Sequence, residues 1–524
     1  MSHLASCASR LSDSSARESL NEVLERKSAR KSGLDEALLA DEADAGALCE
    51  AASTESVLRR ASLWQTVING LGVMFGAQQL PYAMGQMGWS FGLGALAAST
   101  VSTYFSGRLI GYVCVEKKAR SYPEMGFLAF GPSGRALVVG AQWLGYFLTG
   151  VVQIAYSGAT YQQTLRGTPL QDALCTQGWM LVTTLMLLPC VQVPSFREAA
   201  PLSLAVVGAQ VVGLGIFYYQ IGKYGPYDAA PELPCYDKVN LASGLAALSN
   251  MAFTFGGHGV FPEQIREMTD PRQFHRAFNY MYAFVVPMYF ATAAAGFYAF
   301  GNAAAANPLE NLRDGFPVKI YLWFTLVTTF PLVVVGQVVL FLNAEVALDV
   351  LPTDWWKNSR RDAVESDPAA TPFRRVCVRV PPVAFRGVFR AAYVGAMYLV
   401  ASAMIGAGLG DLTNVAGALG LAALTYWLPY VLHTKIFWAE LTAPKLAWAA
   451  LNVAFGFVVS GAGVYYAGKA FLADHVRFFH EDSCTEGAKF WGNDLWEQPH
   501  LKHTSKAWIE IVQGCCVDGT SCGS

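Results

Sequence analysis

Charged residues are scarce in this chain. Asp, Glu, Lys and Arg make up 15% of its 524 residues, whereas 53% of the residues are hydrophobic. Soluble globular domains average about 25% charged residues, so the composition excludes an ordinary soluble globule. The formal net charge of −2 also gives no support to nucleic acid or to a strongly acidic molecule as a partner.

Motifs that carry reaction chemistry are missing as well. The sequence has no pairing of nucleophile and base, no His and Cys cluster at metal-ligand spacing, and no Gly-rich phosphate loop. We therefore expect a protein that is not an enzyme, with no metal site and no cofactor.

The opening of the chain lacks both a secretory signal and long apolar runs. Residues 1–60 are polar, rich in serine and mixed in charge, a composition that cannot bury enough apolar surface to fold. We expect a disordered cytosolic tail over residues 1–60, a membrane domain over 61–472 and a second tail, which contains cysteines, over 473–524.

Apolar stretches of membrane-spanning length follow the opening segment. A helix needs about 20 apolar residues to cross the hydrocarbon core of a bilayer. Windows of that size predict eleven spans, numbered in chain order from span one to span eleven. They lie near 62–84, 89–114, 136–164, 178–194, 201–221, 242–264, 277–300, 317–346, 387–408, 411–433 and 446–472. We therefore predict an all-α membrane protein with eleven transmembrane helices.

Lys and Arg are distributed unevenly between the predicted loops. With the N-terminus in the cytosol, the inner loops collect most of the basic residues, among them Lys117, Lys118 and Arg120. Cytosolic loops of membrane proteins carry such an excess of positive charge. Because the number of predicted spans is odd, the C-terminal tail is then expected outside the cytosol.

Two of the predicted spans are interrupted halfway across the membrane. Gly76 and Pro81 break span one. Span six is broken by Gly256, Gly257, Gly259 and Pro262. Freed backbone groups are tolerated at this depth only where they are buried in protein or line a polar cavity. Interruptions at corresponding positions of two halves indicate the midplane substrate site of a secondary transporter. We therefore predict a five-plus-five inverted repeat of the leucine-transporter type, with helices 1 and 6 broken.

The interruptions also predict which residues form the substrate site. The start of a half-helix carries partial positive charge, which suits a carboxylate, so we expect Gly76 and Ala77 to hold a substrate carboxylate. Polar, aromatic or glycine residues follow at both breaks and in span three. These further candidate substrate-binding residues are Gln78, Gln79, Gln153, Tyr156, Phe253, Thr254, Phe255, Gly256, Gly257 and His258.

Several of these candidates have a structural interpretation beside the functional one. Glycines can serve close helix packing, and one of Gln78 and Gln79 is expected to brace the unwound segment. Tyr156 can pack as readily as it can bind. His258 is an ionisable residue deep in a span, so it can bind the carboxylate, carry a proton or do both. As a neutral imidazole it can instead lock the break by bonding to a freed carbonyl.

Short motifs along the membrane domain resemble the amino acid/auxin permease family. Leu80–Ala83 followed by Gln86–Trp89 is similar to the opening signature of that family, and the resemblance continues through Tyr122–Gly126, Pro194–Arg197 and Phe253–Val260. It covers about residues 62–472 and implies a transporter in which Gly76 and Ala77 hold a carboxylate.

The motifs do not agree on one branch of that family. The run around His258 resembles the auxin-importer branch, which also places a histidine there, whereas Gly76–Gln79 is closer to the amino acid permeases.

These features predict a secondary active transporter that imports an amino acid with protons by alternating access. Spans one, two, six and seven are expected to rock against the rest. The alternatives are an importer of an auxin-like aromatic carboxylate and an amino acid sensor with little transport. We expect the protein in the plasma membrane or in an endolysosomal or vacuolar membrane.

Protons are favoured over sodium as the coupled ion. No carboxylate lies in the middle of spans one, six or eight. The hydroxyls of Thr325, Thr328 and Thr329 in span eight could complete a sodium site, but threonines in spans commonly bond to their own helix. His258 is then the candidate for proton coupling.

The cysteines provide a test of the predicted topology. Cys175 and Cys235 fall in outer loops after spans three and five, where an oxidising compartment lets them pair. We predict a Cys175–Cys235 disulfide, which closes a loop of about 60 residues and stabilises the fold by about 4 kcal/mol in the chain-entropy model. Peptide mapping without reduction should recover the linked pair. Two free thiols would refute the bridge.

Overall fold

The chain is helical throughout the part that can be described. A computed structural model describes residues 61–74, 76–165, 168–170, 173–192, 196–224, 241–312, 315–347, 382–404 and 409–478. Within these ranges the extended backbone is limited to an isolated bridge between Ala61 and Met268, which confirms the all-α class. Cys235, residues 1–60 and residues 479–524 lie outside the described ranges, so the disulfide and the tail assignments stay predictions.

The first half of the chain opens with the predicted broken helix. Leu63–Met74 is followed by a 3₁₀ turn, Ala77–Gln79, and then by Leu80–Glu116. That long helix contains the second half of span one and all of span two. The two are separated at Gly88, whose φ of 69° is a backbone conformation that glycine adopts without a steric penalty. The other helices of this half are Tyr122–Leu165, which bends at Phe130 and Gly131, Thr176–Cys190 and Phe196–Tyr224.

The second half repeats the interruption in span six. Leu241–Thr254 leads into a 3₁₀ turn, Gly256–Val260, and then into Phe261–Glu267. The 3₁₀ turns of this half are Pro271–Gln273, Gly301–Ala303, Pro308–Asn311 and Trp438–Glu440. The longer helices are Phe274–Phe300, Phe316–Ala347, Pro382–Ala403, Leu409–Ala416, Leu428–Ile436 and Ala443–Phe478, with π-helical turns at Gly417–Leu421 and Ala423–Trp427.

Each predicted span coincides with a helix or with a broken helix of the described ranges, and spans one and six are broken as predicted. Length and apolar composition alone give fewer crossings than eleven. By that measure the described helices that can cross a membrane are Tyr122–Leu165, Ser203–Lys223, Pro271–Phe300 and Ala443–Lys469, with the bent pair Leu409–Leu421 and Ala423–Ile436 as a fifth. The count of eleven therefore stays a prediction.

The two breaks lie against each other in the centre of the molecule. A Cβ atom added to Gly76 would lie 3.2 Å from the Cα atom of Thr254, so the backbones approach closely. The Tyr289 hydroxyl of span seven is in hydrogen-bond contact with the carbonyl oxygen of Met74 and lies 3.0 Å from that of Thr254. Carbonyls at the end of a helix have no partner within that helix. A single hydroxyl on span seven therefore serves both breaks.

The ends of the two broken spans are also joined to each other. The Ala61 amide donates to the Glu267 carbonyl (2.8 Å), and the Thr269 amide donates to the Ala61 carbonyl (2.9 Å). The residue that precedes span one is thus bonded on both sides to the residues that end span six. The first half of span one and the second half of span six therefore form one connected unit.

Removing the Tyr289 hydroxyl should destabilise the fold. Tyr289→Phe keeps the ring but removes the hydroxyl from the buried Thr254 carbonyl and from the Met74 carbonyl, of which the latter keeps the Gly76 amide as a donor. An unsatisfied buried polar group costs about 1–3 kcal/mol. We expect a lower Tm in detergent for Tyr289→Phe. The control Tyr465→Phe removes a hydroxyl from a largely exposed ring and should leave the Tm unchanged. Equal Tm values for both variants would contradict this role of Tyr289.

Candidate functional site

A cavity of about 90 Å³ lies between the two breaks. Spans one, three, five, six, eight and ten contribute to its wall, together with the segment between spans seven and eight. The lining residues are Val73, Gly76, Gln78, Gln79, Tyr146, Thr149, Val152, Gln153, Tyr156, Gln210, Phe253, Thr254, Gly256, Ala306, Pro308, Thr325, Thr328, Thr329, Gly336 and Leu421.

The structure brings most of the predicted binding residues to this cavity. The lining includes Gly76, Gln78, Gln79, Gln153, Tyr156, Phe253, Thr254 and Gly256. Ala77, Phe255, Gly257 and His258 are buried and stand outside the described lining. The lining residues could contact a ligand directly in this conformation. The four buried residues instead support the breaks from the side away from the cavity.

The two adjacent glutamines of span one have different partners. Gln78 Nε2 donates to Gln210 Oε1 (2.6 Å) and to the Tyr321 hydroxyl (2.9 Å). Gln79 Oε1 instead accepts a hydrogen bond from Asn250 Nδ2 of span six (3.4 Å). Gln78 therefore braces the unwound segment against spans five and eight, and Gln79 connects the two broken spans to each other.

His258 lies behind the break in span six and connects it to span two. Its Nδ1 atom is 3.1 Å from the carbonyl oxygen of Phe255, and its Nε2 atom is 2.8 Å from that of Thr103. A neutral imidazole has one N–H donor, whereas an imidazolium has two. Since both partners are acceptors, the protonated ring satisfies both contacts and the neutral ring satisfies only one.

The threonines of span eight bond to their own helix. The hydroxyl of Thr325 donates to the Tyr321 carbonyl (3.0 Å), and those of Thr328 and Thr329 donate to the Thr325 carbonyl (3.0 and 3.1 Å). Back-bonding of this kind is common for threonines in spans. Their hydroxyl protons are therefore engaged, and only oxygen lone pairs can face the cavity.

A segment between spans seven and eight covers one end of the cavity. Ala306 and Pro308 belong to the lining. Between them, Asn307 Oδ1 accepts a hydrogen bond from the Tyr156 hydroxyl (3.1 Å), and Gln163 Nε2 donates to the Leu309 carbonyl (2.9 Å). The cover is thus attached to span three at two points, and Tyr156 is both a wall of the cavity and an anchor for its cover.

Sequence reasoning missed several lining residues. Gln210 carried a usable signal, because a polar side chain within an apolar span is expensive unless it has a partner or a function. Tyr146, from span three, resembles any buried aromatic residue in sequence. Ala306 and Pro308 lie in a connecting segment, and only the fold brings them to the cavity.

The described lining contains no Asp, Glu, Lys, Arg or His side chain. Its polar groups are amides, hydroxyls and backbone atoms. Full charges are disfavoured at such depth unless they are paired, so this cavity suits a ligand whose own charges sum to zero and meet backbone dipoles at the helix breaks.

Comparison with known proteins identifies a family. A family model described as transmembrane amino acid transporter protein matches residues 59–468. The Arabidopsis thaliana amino acid transporter AVT1E is 28% identical over 280 residues, which make up 52% of this chain and 52% of that protein. AVT1H from the same plant is 23% identical over 434 residues, 81% of this chain and 93% of that protein. The match thus spans only about half the length of AVT1E.

Solved structures give weaker similarities. A manganese transporter from Eremococcus coleocola is 14% identical with a TM-score of 0.43, covering 87% of this chain and 93% of its own. A Na⁺-coupled sialic acid symporter is 9% identical with a TM-score of 0.34, covering 76% and 89%.

Loosening the cover should expose the cavity. Tyr156→Phe removes the hydrogen bond to Asn307, whose net contribution is about 1 kcal/mol, equivalent to about a fivefold change in an opening equilibrium. In an Ala306→Cys background, we expect faster maleimide labelling at position 306, measured by peptide mass spectrometry. Tyr161→Phe, on the same helix but bonded to Met186, is the control. Equal labelling rates would show that Tyr156 does not hold the cover.

Proposed function

This chain belongs to the transmembrane amino acid transporter family, and from that premise we propose that it imports a small neutral amino acid together with protons by alternating access. The cavity between the two helix breaks carries the proposal, because it is small and its described lining has no ionised side chain. An amino acid zwitterion has no net charge. It can present its carboxylate to the start of one half-helix and its amino group to the end of another.

The carboxylate of the substrate would bind at the break in span one. The second half of that span begins at Ala77, and the first amides of a helix have no partner within it. These amides and the helix dipole favour an anion. Gly76 supports this role, since its lack of a side chain leaves the backbone accessible from the cavity. Gln79 and Gln153 would add uncharged polar contacts.

The amino group of the substrate would face the opposite dipole. Leu241–Thr254 ends at the break in span six, and the last carbonyls of a helix carry partial negative charge. Thr254 and Gly256 belong to the lining, so the substrate would lie between the two breaks. An indole-type carboxylate lacks this amino group, and its ring fits poorly in a cavity of about 90 Å³. These two considerations favour an amino acid over an auxin-like substrate.

Proton coupling would act through His258. A proton bound to the ring supplies a second N–H, so that the ring donates to both of its carbonyl partners. Loss of that proton leaves one ring nitrogen facing a carbonyl oxygen, lone pair against lone pair, and weakens the link between spans two and six. Protonation would thereby affect the break in span six from the side away from the cavity, without direct contact between His258 and the substrate.

Uptake into proteoliposomes tests the proposal. We expect a panel of radiolabelled compounds to show accumulation of neutral amino acids, driven by an inward proton gradient and abolished by an uncoupler. Indole acetate and charged amino acids should accumulate much less. His258→Ala should abolish the uptake. The matched control His433→Ala, whose ring contacts Tyr112 and Phe437, should retain it.

Several results would contradict the proposal. Accumulation that requires sodium and ignores the uncoupler would exclude proton coupling. Preferred uptake of indole acetate would instead support an importer of an auxin-like aromatic carboxylate. Substrate binding with no uptake would support a sensor instead.

A further inference from the structure

A carboxyl group lies buried at the inner end of span six, where it contacts neither the cavity nor its cover. Glu263 follows Pro262 in the helix Phe261–Glu267, and its exposed fraction is 1%. Ionisable groups at such positions are expensive and usually functional. The proposed import of an amino acid assigns no role to it so far.

Glu263 connects span six to two other spans. Its Oε1 atom accepts hydrogen bonds from Asn343 Nδ2 of span eight (3.0 Å) and from the backbone amide of Tyr122 (3.4 Å). Tyr122 begins the helix that becomes span three. Span six is expected to rock against spans three and eight, so these two bonds cross the boundary between the moving and the fixed parts.

The second carboxyl oxygen is left without a partner. Among the described residues, neither Glu263 Oε2 nor the Tyr146 hydroxyl has a hydrogen-bond partner, and both atoms are buried. Tyr146 belongs to the cavity lining and lies within electrostatic range of Glu263. Its hydroxyl packs against Gly259, where an added Cβ would lie only 2.5 Å from it. Tyr146 thus lines the cavity and is also near the carboxyl group.

The charged and titratable groups around Glu263 are few. Within the described ranges they are Arg266 on its own helix, Cys114 of span two, and Tyr122 and Tyr146 from the helix of span three. Arg266 is the one permanent countercharge in this group. Because it moves with Glu263 on the same helix, it cannot hold span six to spans three and eight.

We propose that Glu263 is a proton-binding latch that closes the cytosolic side of the transporter. As a carboxylate it accepts both cross-boundary hydrogen bonds at the strength of charge-assisted bonds. Protonation forms an O–H bond at Oε2 and removes the charge. Both acceptor bonds then weaken, and the inner half of span six can separate from spans three and eight. Exposure to cytosolic water then lets the proton leave.

The proton reaches Glu263 from the cavity through the Tyr146 hydroxyl. Tyr146 Oη and Glu263 Oε2 are not bonded to each other in this conformation, so the transfer passes through a bridging water. A hydronium ion in the cavity gives a proton to Tyr146 Oη and becomes water, the phenol passes its own proton to the bridging water, and that water gives a proton to Glu263 Oε2. The phenol is neutral before and after the transfer. The latch rests on the proposed proton-coupled import, since it gives the imported proton a second binding site nearer the cytosol than His258.

The test compares gradient-driven accumulation with exchange in proteoliposomes. The probe is an equimolar mixture of radiolabelled neutral amino acids, with a pH-sensitive dye reporting proton entry. Glu263→Gln keeps the size of the side chain but cannot bind a proton. We expect accumulation and substrate-linked proton entry to fall about tenfold or more, while exchange at equal pH is retained. Asp270→Asn, which neutralises a carboxylate on the connection after span six, should keep both activities.

Either of two results for Glu263→Gln would overturn the latch. Accumulation at the wild-type level would show that no proton is needed at Glu263. Loss of exchange together with accumulation, in protein that remains folded, would show that the side chain is structural. Wild-type protein is measured in parallel. If it fails to respond to the proton gradient, the proposed function itself is wrong, whereas a failure confined to Glu263→Gln concerns the latch alone.

A second variant decides the matter should Glu263→Gln fail to fold. Glu263→Asp keeps a titratable carboxyl but withdraws it from Asn343 and Tyr122. We expect coupled uptake to persist with a displaced midpoint in its dependence on the pH inside the vesicles. A pH profile identical to that of the wild type would overturn the latch.

Discussion

The need to satisfy backbone carbonyls inside the membrane governs the centre of this transporter. Interrupting two helices opens a polar site, but every freed carbonyl then requires a donor where water is scarce. The amides of Gly76 and Gly257 donate to the carbonyls of Met74 and Phe255. The Tyr289 hydroxyl also contacts Met74 and Thr254, and the His258 ring contacts Phe255 and the Thr103 carbonyl of span two. Spans two and seven are therefore fastened to the breaks. The same spans are expected to move with spans one and six, so the bonds that repair the backbone also hold the moving unit together.

Contacts between that unit and the remaining spans are of another kind. They include the amide of Gln78 bonded to Gln210 and Tyr321, and the carboxyl of Glu263 bonded to Asn343. A typical side-chain hydrogen bond contributes about 1 kcal/mol net, and its partners can turn to water when the spans separate. Such links can be made and broken within a transport cycle at modest cost, whereas the carbonyls at the breaks lie where water is scarce.

Sequence reasoning located the breaks because glycine and proline within apolar windows are unambiguous. It could not tell which side chains face the cavity, because the 3₁₀ turns at both breaks change the residue period from 3.6 to 3. This is why Gly256 lines the cavity while His258 points to Thr103, a carbonyl 155 positions earlier in the chain. The contribution of Ala306 and Pro308 depends on how a connecting segment folds back. That segment has no periodicity from which the fold could be inferred.

The pairing of Ala61 with Glu267 and Thr269 has a mechanical consequence. Force applied along the chain at Ala61 is shared between two half-helices, since the residue is bonded through both its amide and its carbonyl. Spans one and six therefore share a point of attachment at this end of the molecule, although Glu267 lies 206 positions after Ala61 in the chain. A single fluorophore attached beside Ala61 would therefore report the displacement of both half-helices.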